Sequence, residues 1–99
     1  MPRDNYQAAV SETLASLQQV FADNIKEARL ARGWSQQEAA ERCLLSRNAY
    51  RAAEQGNLGT AIGVYWVILD TLGLAEGIAD LAAPHRDEVG RRLKRVKSR

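Results

Sequence analysis

Residues 33–56, Gly33-Trp34-Ser35-Gln36-Gln37-Glu38-Ala39-Ala40-Glu41-Arg42-Cys43-Leu44-Leu45-Ser46-Arg47-Asn48-Ala49-Tyr50-Arg51-Ala52-Ala53-Glu54-Gln55-Gly56, read as two short helices joined by a tight turn. Ser35 and Glu38 have the spacing of a capping box: the hydroxyl accepts from the backbone three residues on, and the glutamate reaches back to the Ser35 N–H. Losing such a cap typically costs about 1 kcal/mol. Ala39, Ala40 and Cys43 then fall on one face, all small enough for another helix to lie close, while Gln37, Glu41 and Arg42 take the opposite face. Ser46 offers a second N-cap. Ala49, Tyr50 and Ala53 form the inward stripe of the helix that follows, and Gly56 ends it where a left-handed residue is easiest. With that stripe inward, Arg47, Asn48, Arg51 and Ala52 point away from the core. A recognition helix is built this way, its first turn free to meet base edges and its back packed on the preceding helix.

These residues closely resemble the XRE (Cro/CI-type) helix-turn-helix family, whose pattern runs Ser-Gln-x-Glu-x-Ala-x-x-Ala-Gly-hydrophobic-Ser and ends in Glu-x-Gly. Ser35-Gln36, Glu38, Ala40, Ser46 and Glu54-x-Gly56 keep that spacing, and Asn24 to Gly33 is similar to the family's first helix. The resemblance spans roughly Phe21 to Leu74. It implies an all-α fold, a compact helical bundle of the lambda-repressor-like DNA-binding type. It further implies base contacts from Arg47, Asn48, Arg51 and Ala52, and backbone contacts from Gln36, Gln37 and Ser46. Arginine binds guanine and asparagine binds adenine through paired hydrogen bonds, each worth about 1–3 kcal/mol of discrimination; an ordinary polar helix start explains the same two side chains without DNA. Arg29 and Glu54 correspond to a pair that links the first and third helices, so a structural salt bridge is expected there. Two positions depart from the pattern. Leu44 stands where the turn usually has glycine, which requires either a reshaped turn or a left-handed leucine. Ala53 replaces a larger apolar residue, a thinner contact for which Tyr50 is the compensating side chain.

The chain of 99 residues has room for one modest core and not for a deep enzyme cleft with a second module. A single cysteine, Cys43, excludes an internal disulfide, and the chain opens without a signal peptide, so a reducing cytoplasm is expected. The longest apolar run, Val64 to Leu69, stops at Asp70, far short of a membrane span. The formal net charge of +2 is unevenly spread: residues 86–99 carry Arg86, Arg91, Arg92, Lys94, Arg95, Lys97 and Arg99 against Asp87 and Glu88, leaving residues 1–85 acidic on balance. A basic tail neutralises phosphates and makes binding salt-dependent. Arg91, Arg92, Lys94 and Arg95 are therefore further candidates for the DNA backbone, a solvated terminal helix being the alternative.

Around the central unit the periodicity predicts helices and no strand. Val10, Leu14, Leu17 and Phe21 define an N-terminal helix from about Tyr6 that runs into or abuts the first helix of the family pattern, and residues 1–20 read as an extension to a DNA-binding domain at 21–74. Thr60 reads as a cap for a fourth helix with Ile62, Tyr65, Trp66 and Leu69 on one face, ending near Gly73. Leu74 to Ala82 reads as a short fifth helix with Leu74, Ile78 and Leu81 inward. After Pro84, a last helix from Arg86 to about Val96 carries Val89, Leu93 and Val96 on one side, and residues 75–99 form a C-terminal helical extension. Both terminal stripes are candidate dimer seams.

The stretch Leu72 to Asp87 with its basic end is similar to the region after the helix-turn-helix in HipB-like antitoxins, which partner HipA-like kinases. That resemblance implies a dimer that represses its own operon and binds the toxin as a co-repressing complex. A short helical dimerisation extension explains the same residues. The expected partners are double-stranded DNA with an inverted-repeat operator, a second copy of the chain and a HipA-like kinase toxin. A module whose main work is to inhibit a toxin, or a stand-alone phage or restriction-system regulator, are the competing readings. Cys43 reads as core, His85 has no ligand partners at metal spacing, and Gly59 and Gly63 lack the strand a phosphate loop needs. Trp34 and Trp66 read as core anchors. No nucleophile is paired with a base, so neither catalysis nor a cofactor is expected.

Overall fold

Serines mark the first three helix starts. In the computed structural model, which describes residues 5–97, Ser11 accepts from the Leu14 N–H at 3.0 Å and opens helix α1, Glu12–Ala31. Ser35 opens α2, Gln36–Arg42, with both arms of the capping box closed: Glu38 N–H to Ser35 Oγ at 3.0 Å and Ser35 N–H to Glu38 Oε1 at 3.3 Å. Ser46 accepts from the Ala49 N–H at 3.1 Å and opens α3, Arg47–Glu54. Helix α4 spans Ile62–Thr71 and α5 spans Glu88–Lys97, with short 3-10 turns at Tyr6–Ala9, Ala75–Asp80 and Pro84–Arg86. No strand occurs among the described residues.

Helix α1 starts later than expected and, of the two expected arrangements, runs into the family's first helix rather than abutting it. Residues 6–9 form only a 3-10 turn, because the cap is at Ser11, and no glycine or proline interrupts residues 12–32. The expected border at residue 20 thus lies inside one continuous helix. Of the other helices α3 packs most extensively on α1, and α2 and α4 complete the same core. The core is Ile25 from α1, Ala39, Ala40 and Cys43 from α2, Tyr50 and Ala53 from α3, and Tyr65, Ile68 and Leu72 from α4 and its end. Phe21, Trp34 and Trp66 close its edges. The small α2 face and Ala53 let the backbones approach, and the aromatic rings fill the remaining space. Gly56 needs to be glycine for its backbone: its φ is +79°, in the left-handed region, whereas an added Cβ would make only ordinary contact, 3.5 Å, with that of Ala22 on α1.

Leu44 takes the left-handed option. Its φ is +56°, the Leu45 N–H reaches back to the Ala40 carbonyl at 2.9 Å, and its side chain is 94% exposed. The turn therefore keeps the geometry glycine would give it, with the strain of a Cβ in that region and no packing to offset it. Leu44→Gly is expected to raise stability by about 0.5–1 kcal/mol, the relieved strain exceeding the added chain entropy of the unfolded state; a higher melting temperature by circular dichroism checks it. At Ala53 the predicted compensation comes from two tyrosines. Tyr50 is buried beside it, and Tyr65 donates to the Ala53 carbonyl at 3.0 Å while accepting from Gln18 Nε2 at 2.9 Å, joining α1, α3 and α4.

The C-terminal third departs most from expectation. Thr60 does not cap α4: the cap position is Ala61, the Thr60 N–H closes a turn on the Asn57 carbonyl, and the buried Thr60 hydroxyl has no hydrogen-bond partner in the protein. Ile62 is exposed, and the buried stripe of α4 is Tyr65, Ile68 and Leu72. Residues 75–80 form a 3-10 turn instead of an α-helix. With three residues per turn the spacing of Leu74, Ile78 and Leu81 no longer makes one inward face, and Leu74 and Leu81 are exposed. Helix α5 starts at Glu88, two residues later than expected, since Pro84–Arg86 is itself a 3-10 turn and the Asp87 carboxylate accepts from the Gly90 N–H at 2.9 Å.

Candidate nucleic-acid interface

Helix α3 is held from behind by a buried ion pair. Arg29 Nε donates to Glu54 Oε2 at 2.9 Å and Arg29 NH2 to Glu54 Oε1 at 2.7 Å, so the two planar groups meet in a fork. Both residues are nearly fully buried, at 6% and 7% exposure. Arg29 NH1 also donates to the Trp34 carbonyl at 2.8 Å, and Gln36 Nε2 donates to Glu54 Oε1 at 3.2 Å. One cluster thereby ties the end of α1, the start of α2 and the end of α3. The predicted salt bridge is present as the resemblance implied.

Burial alone would push the Glu54 carboxyl up. Arg29, the neighbouring Tyr50 hydroxyl and Gln36 together outweigh it and hold Glu54 below the ordinary carboxylate value, as an anion. Its hydrogen bond to Glu54 raises Arg29 further despite burial. The Tyr50 hydroxyl is buried, lies outside hydrogen-bond geometry, and is pushed well above the usual tyrosine range by burial first and by the Glu54 charge beside it.

On the opposite side of α3 the first turn is open. Arg47, Asn48 and Arg51 are exposed, and Ser46 is exposed at the cap. Arg47 NH2 donates to Gln37 Oε1 at 2.7 Å, and Gln37 Nε2 donates to Glu41 Oε1 at 3.3 Å, so α2 braces the guanidinium at the tip of α3. The structure thus brings Arg47, Asn48, Arg51, Gln37 and Ser46 onto one α2–α3 surface. Ala52 is half-buried and borders a cavity of about 340 Å³ beside Asn57, Gly59 and Thr60, so it is less open than its three polar neighbours. Gln36 has its side-chain amide on Glu54, inside the fold. Arg91, Arg92, Lys94 and Arg95 stand apart on α5, which packs chiefly against the Pro84–Arg86 turn.

Three supporting contacts had no readable sequence signal. Arg42 lies 4.4 Å over the Trp34 ring, a cation–π contact across the start and end of α2. Arg32 NH2 donates to the Leu72 carbonyl at 2.6 Å, fastening α1 to the end of α4. Phe21 and Tyr65 meet at 4.9 Å between ring centres. The last two depend on where separate helices meet, which periodicity along one helix does not report.

Among the described residues no group of three or more histidine, cysteine or acidic side chains is placed to hold a metal ion, and no helix is long and apolar enough to cross a membrane. No curated protein and no solved structure matches the chain. A helix-turn-helix family model matches residues 25–76, from the middle of α1 to the turn after α4, and ends before most of the stretch that resembles HipB-like antitoxins. That span includes the capping box, the left-handed turn, the exposed first turn of α3 and the buried pair behind it. The chain belongs to the XRE-type helix-turn-helix family, with its all-helical lambda-repressor-like fold, and is a DNA-binding transcription regulator.

Proposed function

We propose that this regulator is a homodimeric repressor of its own operon. Each α3 enters the major groove of one half of an inverted-repeat operator, with half-sites about 34 Å apart. Arg47 and Asn48 read base edges at the tip of the helix, with Arg51 and Ala52 one turn further along. Gln37, Ser46 and the N-terminal backbone of α2 at Gln36 approach phosphates. Arg91, Arg92, Lys94 and Arg95 add a sequence-independent electrostatic contribution. The observation that carries this reading is the two-sided α3: Arg47 and Asn48 open to solvent on one side and the Arg29–Glu54 pair locked behind the other. A helix so clamped presents its first turn without an ordering penalty on binding.

A fluorescence-anisotropy titration against the native promoter and a scrambled duplex, at two salt concentrations, tests it. The expected result is roughly a thousandfold preference for the promoter at physiological salt. The second reading, a module that chiefly binds and inhibits a toxin such as a HipA-like kinase, is favoured by the acidic balance of residues 1–85. It requires equal, salt-sensitive binding to both duplexes and tight binding to the product of a neighbouring gene.

A further inference from the structure

Helix α5 is amphipathic and its apolar side is bare. Val89, Leu93 and Val96 fall within one stripe and are 57%, 55% and 71% exposed. Arg91, Lys94 and Arg95 lie on the opposite side, with Arg92 and Lys97 flanking the stripe. A ten-residue helix without a packed face is marginal in water. Elsewhere on the same chain, Leu14, Leu17 and Phe21 of α1 face Ile62 and Trp66 of α4 across an open apolar groove of about 440 Å³, with Leu81 at its edge. Leu14, Leu17, Ile62 and Leu81 are exposed there. The α1 wall from Leu14 to Phe21 and the α5 stripe from Val89 to Val96 each span eight residues, about 10 Å of helix.

We infer that α5 of one copy lies in the α1–α4 groove of a second copy, and reciprocally, so that the dimer is closed by two identical helix-in-groove contacts. This rests on the dimeric part of the function proposed above. Charge selects the occupant. Residues 86–99 are strongly basic and residues 1–85 acidic on balance, with exposed Asp70 one turn past Trp66 and exposed Asp80 next to Leu81, the latter also 3.8 Å from Arg86 of its own chain. Two α5 helices packed on each other would instead set Arg91, Arg92, Lys94, Arg95 and Lys97 against their own copies, and like charges in an interface are costly. The connection disfavours the groove of the same copy. Leu81 lines the groove, but the chain then turns through a left-handed Ala82 and hydrogen-bonded turns, Arg86 N–H to the Ala83 carbonyl at 2.9 Å and Asp87 N–H to the Pro84 carbonyl at 3.1 Å. These carry α5 outward. Reciprocity doubles the covered surface, which a stable interface needs to bring above about 1,000 Å².

The test uses the full chain without DNA, so that its outcome is independent of operator recognition. Light scattering at micromolar concentration is expected to give twice the 11.0 kDa chain mass. Leu93→Asp and Leu17→Asp are each expected to weaken dimerisation at least about 100-fold, because each removes two leucine burials per dimer. In a Cys43→Ala background, chains bearing Leu17→Cys and Leu93→Cys alone are mixed with a short bismaleimide. A mixed cross-link of one chain of each kind supports the proposal. A monomeric parent chain, or cross-links only between two chains carrying Leu93→Cys, overturns it, the latter in favour of an α5–α5 seam. Circular dichroism of Leu93→Asp, on an exposed position, confirms that its fold is intact.

Discussion

Replacing Glu54 with alanine is expected to destabilise the protein by about 3–5 kcal/mol, because it leaves the Arg29 guanidinium buried without its counter-charge. That is a large part of the 5–15 kcal/mol by which a domain is ordinarily stable, so the variant is expected to be substantially unfolded under mild denaturant. The loss belongs to the orphaned charge and not to the attraction itself. Arg29→Met combined with Glu54→Leu is therefore expected to recover most of it, since the carbonyl of Trp34 and the amide of Gln36 lie at half-buried edges where water replaces the lost partners. Urea unfolding of the parent, the single and the double variant separates the two contributions.

The same cluster predicts the pH range of stability. Glu54 is held below its ordinary value in the folded state, so its contribution is complete above that value and is lost as pH falls through the lower folded pKa. Tyr50 is raised, so its contribution is complete below the ordinary tyrosine value of 10.0 and is lost as pH rises beyond it. Midpoints of urea unfolding are thus expected to fall on both sides, with Tyr50→Phe removing the alkaline arm.

Arg47→Ala and Asn48→Ala carry the second large effect, on DNA. Each is expected to weaken promoter binding by about 1–3 kcal/mol, roughly 5- to 150-fold, and to leave binding to a scrambled duplex nearly unchanged, since a lost base contact removes discrimination. Arg91→Ala with Arg92→Ala is expected to do the reverse, weakening both duplexes alike and reducing the slope of log affinity against log salt by about 1 per lost phosphate contact. Gln37→Ala adds an internal control. If Gln37 braces Arg47, its removal acts on the specific complex through Arg47, and the effect disappears in an Arg47→Ala background. Unchanged promoter affinity in both single variants, with salt dependence intact, would remove the base-reading assignment.

The central unit was legible because its signals are local. Ser35 with Glu38, Ser46 with the Ala49 N–H, and Gly56 after Glu54 each act within three or four residues, and capping, periodicity and left-handed termination are decided over that distance. Thr60, Ile62, Leu74 and Leu81 were misplaced for the complementary reason. A threonine before an apolar run has the composition of a cap, but Ala61 takes the cap position and the Thr60 hydroxyl is buried. Leucines at helical spacing around Gly77 form a stripe only if the backbone is α-helical, and here it is 3-10. The site followed the same division. Arg47, Asn48 and Arg51 were readable as the outward face of α3, whereas the contact of the Gln36 amide with a carboxylate eighteen residues away left no local signal.

By itself the sequence determined the starts of α2 and α3, the outward polar turn of α3 and the pairing of Arg29 with Glu54, all consequences of short-range hydrogen bonding, helical period and family pattern. Only the tertiary structure decided that Gln37 braces Arg47, that Tyr65 bridges three helices, and that the groove between α1 and α4 stands open while the stripe of α5 stays bare. Those features depend on the angles at which separate helices meet, and these are set by the joint packing of side chains distant along the chain.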